Sequence, residues 1–166
     1  MTRAMEIRDF RVEDGEACHQ LRRGAFLEVF SSFLPADAVR TGAESYSVAE
    51  FTRRIKALET FVAVARGGVV GFCSVRMVSP TRAELLYLYV SSGCQMTGVG
   101  SQLVRHAEWR VSVARPELTA FFLDTAVPEY NQSFWEHMGY VLVGPSSCEY
   151  PSGKIPAVRL EKHLNR

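Results

Sequence analysis

Long hydrophobic runs are missing from this sequence. No stretch approaches the roughly 18 uninterrupted apolar residues of a membrane span, and the opening Met1-Thr2-Arg3-Ala4-Met5-Glu6 lacks the apolar region of a secretory signal. A cytoplasmic protein without a membrane partner is the expectation. A surplus of one charge is missing too: 19 Lys and Arg stand against 18 Asp and Glu, which leaves no electrostatic footprint for wrapping nucleic acid. Nucleic acid is therefore not an expected partner. Cysteine is sparse, and Cys18, Cys73, Cys94 and Cys148 are scattered with no C-x-x-C pair; the four histidines show neither H-x₃-H nor H-E-x-x-H spacing. Neither a disulfide framework nor a metal site is indicated. Internal repeats, low-complexity tracts and linkers are also lacking.

What the chain has is enough apolar content, 47% of 166 residues, to close one sizeable core. One domain over residues 1–166 is expected. Glu6 to Phe10 reads as a short strand, and Asp14 as the cap of a first helix whose apolar positions are Ala17, Leu21, Ala25 and Val29. Phe30 to Tyr46 holds no sustained period and contains Pro35 and Gly42, so it reads as an irregular or broken helical connection. Ser47-Val48-Ala49-Glu50 is a capping box opening a second helix with Phe51, Ile55 and Leu58 on one face.

From Phe61 the period changes to that of strands. Phe61 to Ala65 and Val69 to Val75 flank Arg66-Gly67-Gly68, a hairpin pattern, and Glu84 to Val90 is apolar enough for a central strand buried on both faces. Val99, Leu103, Ala107, Val111 and Ala114 then form a helical stripe ended by Pro116. Leu118 to Leu123 is a further strand, Tyr130 to Met138 a helix ended by Gly139, and Tyr140 to Val143 and Ala157 to Leu160 late strands around a turn-rich stretch. Helices that cross between strands make this a mixed α/β sheet domain.

One segment points to a ligand. Gln95-Met96-Thr97-Gly98-Val99-Gly100-Ser101 lies between the apolar strand and the long helix. A helix N-terminus leaves backbone N–H groups unpaired and carries about half a positive charge, and glycine lets an anion approach the backbone closely. Glycine also serves in tight strand-to-helix turns that hold no ligand. The segment is neither G-x-x-x-x-G-K-[ST] nor the three-glycine dinucleotide fingerprint.

Three motifs in order, Ala83-Glu84-Leu85-Leu86-Tyr87-Leu88-Tyr89-Val90, Gln95-x-x-Gly98-x-Gly100 and Phe134-Trp135-Glu136-His137-Met138-Gly139-Tyr140, resemble those of the Gcn5-related N-acetyltransferase (GNAT) family. The resemblance implies a mixed, centrally split sheet of about seven strands flanked by about four helices. It implies acetyl-CoA as co-substrate, its pantetheine arm pairing near Tyr89 and Val90 and its diphosphate held by Gln95 to Ser101. It also implies an acceptor that is an amine-bearing small molecule or a peptide or protein, with no metal. Exposed late strands are compatible with a homodimer of this fold. The chain departs from the family at Ser92, Thr97 and Pro128, with Asn131 one turn beyond the position of a common pantetheine contact. Trp135 stands where a proton-donating tyrosine is common, and indole is no useful acid.

For the chemistry, an alkylamine of pKa about 10.4 is almost wholly protonated at neutral pH, so a base is needed. Glu84 resembles the family's base position; its other reading is a strand-entry charge paired with an arginine such as Arg82. Tyr130 is the candidate acid for the departing thiolate, or else an aromatic cap on the last helix. Phe30, Phe33 and Tyr46 are candidate acceptor-site residues, with core packing as the competing role. Cys94 reads as a small loop filler, and Cys18 and Cys73 as core. A non-catalytic acyl-CoA-binding module is the alternative function that Trp135 suggests.

Overall fold

The structure, a computed structural model, describes residues 4–165. Strand β1 (Glu6–Asp9) leads into helices α1 (Gly15–Glu28), α2 (Ala36–Ala43) and α3 (Val48–Lys56). An antiparallel run follows: β2 (Glu59–Ala65), β3 (Gly68–Ser79) and β4 (Arg82–Val90). Then come α4 (Val99–Ala114), β5 (Ala120–Thr125), α5 (Pro128–His137), β6 (Val141–Tyr150) and β7 (Gly153–His163). The seven strands form one mixed sheet in the order β1-β2-β3-β4-β5-β7-β6, in which only β4 and β5 run parallel.

Each face of the sheet carries its own core. On one face α4 buries Val99, Leu103, Val104, Ala107 and Val111 against Phe61, Val75, Leu85, Phe121 and Leu123. On the other, Phe51 and Ile55 of α3 and Cys18 of α1 pack on Val62, Phe72 and Tyr87. Full burial of side chains of this size contributes about 1.5–3 kcal/mol each, so these two layers supply most of the force that holds the helices to the sheet. Among the described residues no helix is long and apolar enough to cross a membrane, and all four cysteines are free thiols.

Several expectations need correction. Asp14 does sit at the N-cap of α1, but its carboxylate makes no cap bond. It receives Arg8 through two contacts, at 2.7 and 2.9 Å, and the Arg11 amide at 2.8 Å. The buried stripe of α1 is Cys18, Arg22 and Phe26, one position beyond the expected one, because the Arg22 guanidinium packs over Phe26 and Tyr46 and is drawn inward. Within the connection expected to be irregular or broken helical, residues 36–43 form a regular helix, giving five α-helices among the described residues: Ala38, Val39, Gly42 and Ala43 form a short buried face. Gly42 is there because an added Cβ would sit 2.4 Å from the Phe26 ring.

The stretch expected to be turn-rich instead completes a long hairpin, with β6 and β7 paired from Val141–Glu161 to Tyr150–Gly153. Pro145 fits because β6 is an edge strand, and Pro156 because β5 pairs only with Val158 and beyond. The central strand is not buried on both faces throughout: Leu86, Leu88, Tyr89 and Val90 are half-buried.

Candidate functional site

That partial exposure arises from a split in the sheet. β4 and β5 pair only at Arg82–Ala120, Ala83–Phe121 and Glu84–Phe122, and beyond Glu84 the two strands part. On the β3 side the register slips between Ser74–Tyr87 and Val75–Leu85, so Leu86 is a bulged residue with no partner. The Ser91 amide bonds to Val70 at 2.8 Å. Antiparallel pairs alternate between bonded and non-bonded, so Tyr89 is bonded to β3 while Leu88 and Val90 turn their N–H and C=O groups toward the gap. The split therefore exposes a strand edge at the height of residues 88–90.

The loop from Ser91 and the start of α4 close one end of that gap. A short turn at Ser92–Cys94 precedes Met96 at φ 66° and Gly98 at φ 87°. The left-handed conformation at 98 suits glycine, and it aims the chain into α4. Gln102 bonds back to the Gly98 carbonyl at 3.1 Å. Among the described residues, the amides of Met96 through Ser101 have no protein acceptor, and no side chain caps the helix. This is a row of unpaired donors at the positive end of a 16-residue helix, a surface that favours an anion such as a diphosphate.

A cavity of about 720 Å³ runs from this row along the split. The side chains or backbone of Tyr89, Val90, Gln95, Met96, Gly98, Gly100, Ser101, Tyr130, Asn131 and Phe30 line it, so most of the expected cofactor residues meet in one place. Val99 belongs to the core and Thr97 turns its hydroxyl to the Cys94 carbonyl, so each faces the row through its amide alone. An added Cβ at Gly100 would meet Phe134 and Val90 at 3.6 and 3.7 Å, ordinary contact distances. The Tyr130 hydroxyl crosses the mouth to Gln95 Oε1 at 3.3 Å. Asn131 accepts from Thr125 at 2.8 Å, fixing the start of α5. Burial pushes the Tyr89 hydroxyl up to about 12, so it is neutral at physiological pH.

Other expected residues lie apart from that cavity. Glu84 is on β4 at the point where the sheet divides, buried, with its Oε2 held by Arg76 Nε at 3.0 Å and by a second Arg76 nitrogen. Its arginine is thus Arg76; Arg82 pairs with Glu161 instead. Phe33 is outside the cavity wall, its ring 5.8 Å from that of Tyr130. Tyr46 lies under α3 in a second cavity beside Arg54. Phe134, Trp135 and His137 line the first cavity without having been singled out as its wall. Tyr130, Phe134 and His137 follow the i, i+4, i+7 spacing of one helix face, a signal readable from sequence. Cys94 also lines it, which a loop-filling role did not anticipate. Among the described residues no three His, Cys, Asp or Glu side chains are grouped to hold a metal.

Comparison with known proteins matches this arrangement to one family. The acetyltransferase (GNAT) domain family aligns with residues 56–142, just over half of the chain, from the end of α3 to the start of β6. Curated proteins return no sequence match. Solved structures share the fold at low identity. A GCN5-related N-acetyltransferase from Rhodopseudomonas palustris superposes with a TM-score of 0.83 at 19% identity, covering 99% of this chain and 98% of that one. The PaiA N-acetyltransferase of Thermoplasma acidophilum, solved with coenzyme A, gives 0.76 at 18% identity, over 98% and 100%. The ribosomal-protein-S18-alanine N-acetyltransferase of Escherichia coli gives 0.73 at 16% identity, over 98% and 96%. With its split seven-stranded sheet and its glycine-bearing turn into α4, the chain belongs to the GNAT acetyltransferase family.

Proposed function

We propose that the protein transfers an acetyl group from acetyl-CoA to a primary amine, on a small molecule or on a peptide or protein, by direct attack within a ternary complex. The observation that carries this reading is the row of unpaired amides from Met96 to Ser101 at the end of a gap edged by Leu88 and Val90. Those groups fit the two polar parts of the co-substrate. The amides and the α4 dipole suit its diphosphate, and the free edge of β4 suits the amides of its pantetheine arm, as an added strand would. Acetyl-CoA supplies a thioester whose carbonyl carbon is open to attack by an amine.

This chain's own residues then have three tasks. Glu84, two residues before the bulge, accepts a proton from the incoming ammonium, directly or through water. The Val90 amide, turned into the gap, stabilises negative charge on the carbonyl oxygen, a contribution on the order of 3 kcal/mol. Tyr130, on the cavity wall, is the hydroxyl assigned to the departing sulfur. Phe30 and Phe33 pack around Tyr130 and border the acceptor's approach.

A specific observation favours a second reading, a non-catalytic acyl-CoA-binding module: Trp135 is buried against Tyr140 and Glu84 is already committed to an ion pair. A screen of amines, antibiotics and peptides for acetyl-CoA-dependent mass gain of one acetyl group separates the two. CoA release that depends on an added amine is expected; acetyl-CoA binding without transfer to any acceptor would leave the binding module.

A further inference from the structure

The second cavity, also about 720 Å³, lies between α3 and the strands β3 and β4. Its walls include Arg53, Arg54 and Arg76, together with Tyr46, Glu50 and the bulged Leu86. The charges there do not cancel. Arg76 is answered by Glu84. Glu50 is turned to the Ser47 amide at 2.9 Å as part of the α3 capping box. Arg53 and Arg54 have no carboxylate in ion-pair contact among the described residues, although both stand on the cavity wall.

Arg54 is also held in place. Its Nε donates to the Tyr87 hydroxyl at 2.7 Å, and its guanidinium lies over the Tyr46 ring at 5.3 Å and the Tyr87 ring at 5.9 Å. Among the described residues the terminal nitrogens meet no acceptor, which leaves a fixed fork of donors suited to the paired oxygens of a carboxylate or phosphate. The position relative to the chemistry is equally defined. Leu86 on the cavity wall is two residues from Glu84 and two from Leu88, whose backbone faces the gap; at about 3.3 Å per residue each separation is roughly 7 Å.

Resting on the acetyl-transfer reading, we propose that this cavity is the acceptor's anion subsite: the amine that is acetylated carries a carboxylate or phosphate, which Arg54 and Arg53 hold while the amine reaches past Leu86 toward Glu84. A compact acceptor with the amine about two strand residues from its anion spans that distance.

Equilibrium titration of the whole chain with inorganic phosphate and with acetate, without acetyl-CoA, followed by calorimetry, tests the subsite. One of the anions is expected to saturate the wild type, and R54Q to weaken it about tenfold. R53Q, which removes no side-chain bond to another described residue, weakens it less, and R54K is intermediate because lysine lacks the fork. Which anion shows the Arg54 dependence decides between phosphate and carboxylate. In turnover, phosphoethanolamine or γ-aminobutyrate should exceed ethanolamine or γ-aminobutyramide in kcat/KM, and R54Q should raise KM for the anionic acceptor without changing acetyl-CoA affinity. Equal anion affinity in wild type and R54Q, or equal use of neutral and anionic amines, overturns the proposal. Because the anion titration contains no acetyl-CoA, its failure leaves the functional reading intact, and failure of acetyl-CoA to bind leaves the anion result standing.

Discussion

Replacing Glu84 by glutamine separates a base from a structural partner. The substitution preserves shape and leaves an amide oxygen for Arg76, so what it removes is the charge and the proton-accepting oxygen. The Arg76 side chain is 46% exposed and that of Glu84 11%, so the pair is well solvated on one side and its loss costs about 1 kcal/mol or less. R76Q differs, because it leaves a buried carboxylate without its guanidinium. Its cost should lie between the surface value and the 3–5 kcal/mol of a fully buried pair, about 1–2 kcal/mol. Activity should rank the other way. Loss of a general base lowers kcat by about 10²–10⁴, whereas R76Q keeps the carboxylate and retains most of its turnover. The assay is CoA release detected with a thiol reagent at saturating acetyl-CoA, with an acceptor taken from the amine screen, alongside thermal denaturation of each variant. If E84Q turns over within about threefold of wild type while R76Q is the less stable protein, Glu84 is a structural partner and the base lies elsewhere.

Three further predictions follow from the same geometry. G98A places a side chain at φ 87° with only Gln102 within 4.0 Å, so its cost of about 1–2 kcal/mol is backbone strain and should appear as weaker acetyl-CoA binding by about 5–30-fold; G100A, at ordinary contact distances, should bind within a fewfold of wild type. Y130F should lower kcat by about tenfold at most, less than E84Q, since a thiolate of pKa about 8.5 leaves without obligatory protonation; unchanged kcat removes Tyr130 from the reaction. For acid stability, burial alone would raise the Asp14 pKa, but the Arg8 contacts and the Arg11 amide outweigh it and hold it below the ordinary 3.8. A depressed folded-state pKa contributes stability that is full above 3.8 and is lost as pH falls through the folded value. D14N should therefore be less stable than wild type at neutral pH, by about 1–3 kcal/mol, and the gap in Tm should narrow below pH 4; a gap independent of pH contradicts the pairing.

Elements that carry their own period were readable from sequence. The stripe of α4 and the hairpin glycines at 67 and 68 depend on local spacing, and β4 was visible because its apolar residues run together. Features set by distant parts of the chain were not. Pro145 and Pro156 look like turn residues until the strand order shows that neither has to donate to a neighbour. The Leu86 bulge is a register slip between two strands and leaves no mark in either one. The amide row was legible at Gly98 and Gly100 because glycine signals an unusual backbone, and its walls on α5 were half-legible through helical spacing. The Arg54–Tyr87 contact joins residues 33 apart, and an arginine on the outer turn of a helix reads from sequence as a solvated charge. Arg22 misled in the opposite direction, since a charged residue on the inner face shifted the expected stripe of α1 by one position.

The proposed reaction depends on the split sheet and the α4 amides receiving a carrier's polar groups. The most direct measurement is equilibrium titration of the full chain with acetyl-CoA, by calorimetry, in parallel with G98A. One-to-one saturation with half-occupancy below about 1 mM, weakened by G98A, is the predicted result. Absence of binding at millimolar acetyl-CoA, in a protein whose thermal transition shows it to be folded, would contradict it.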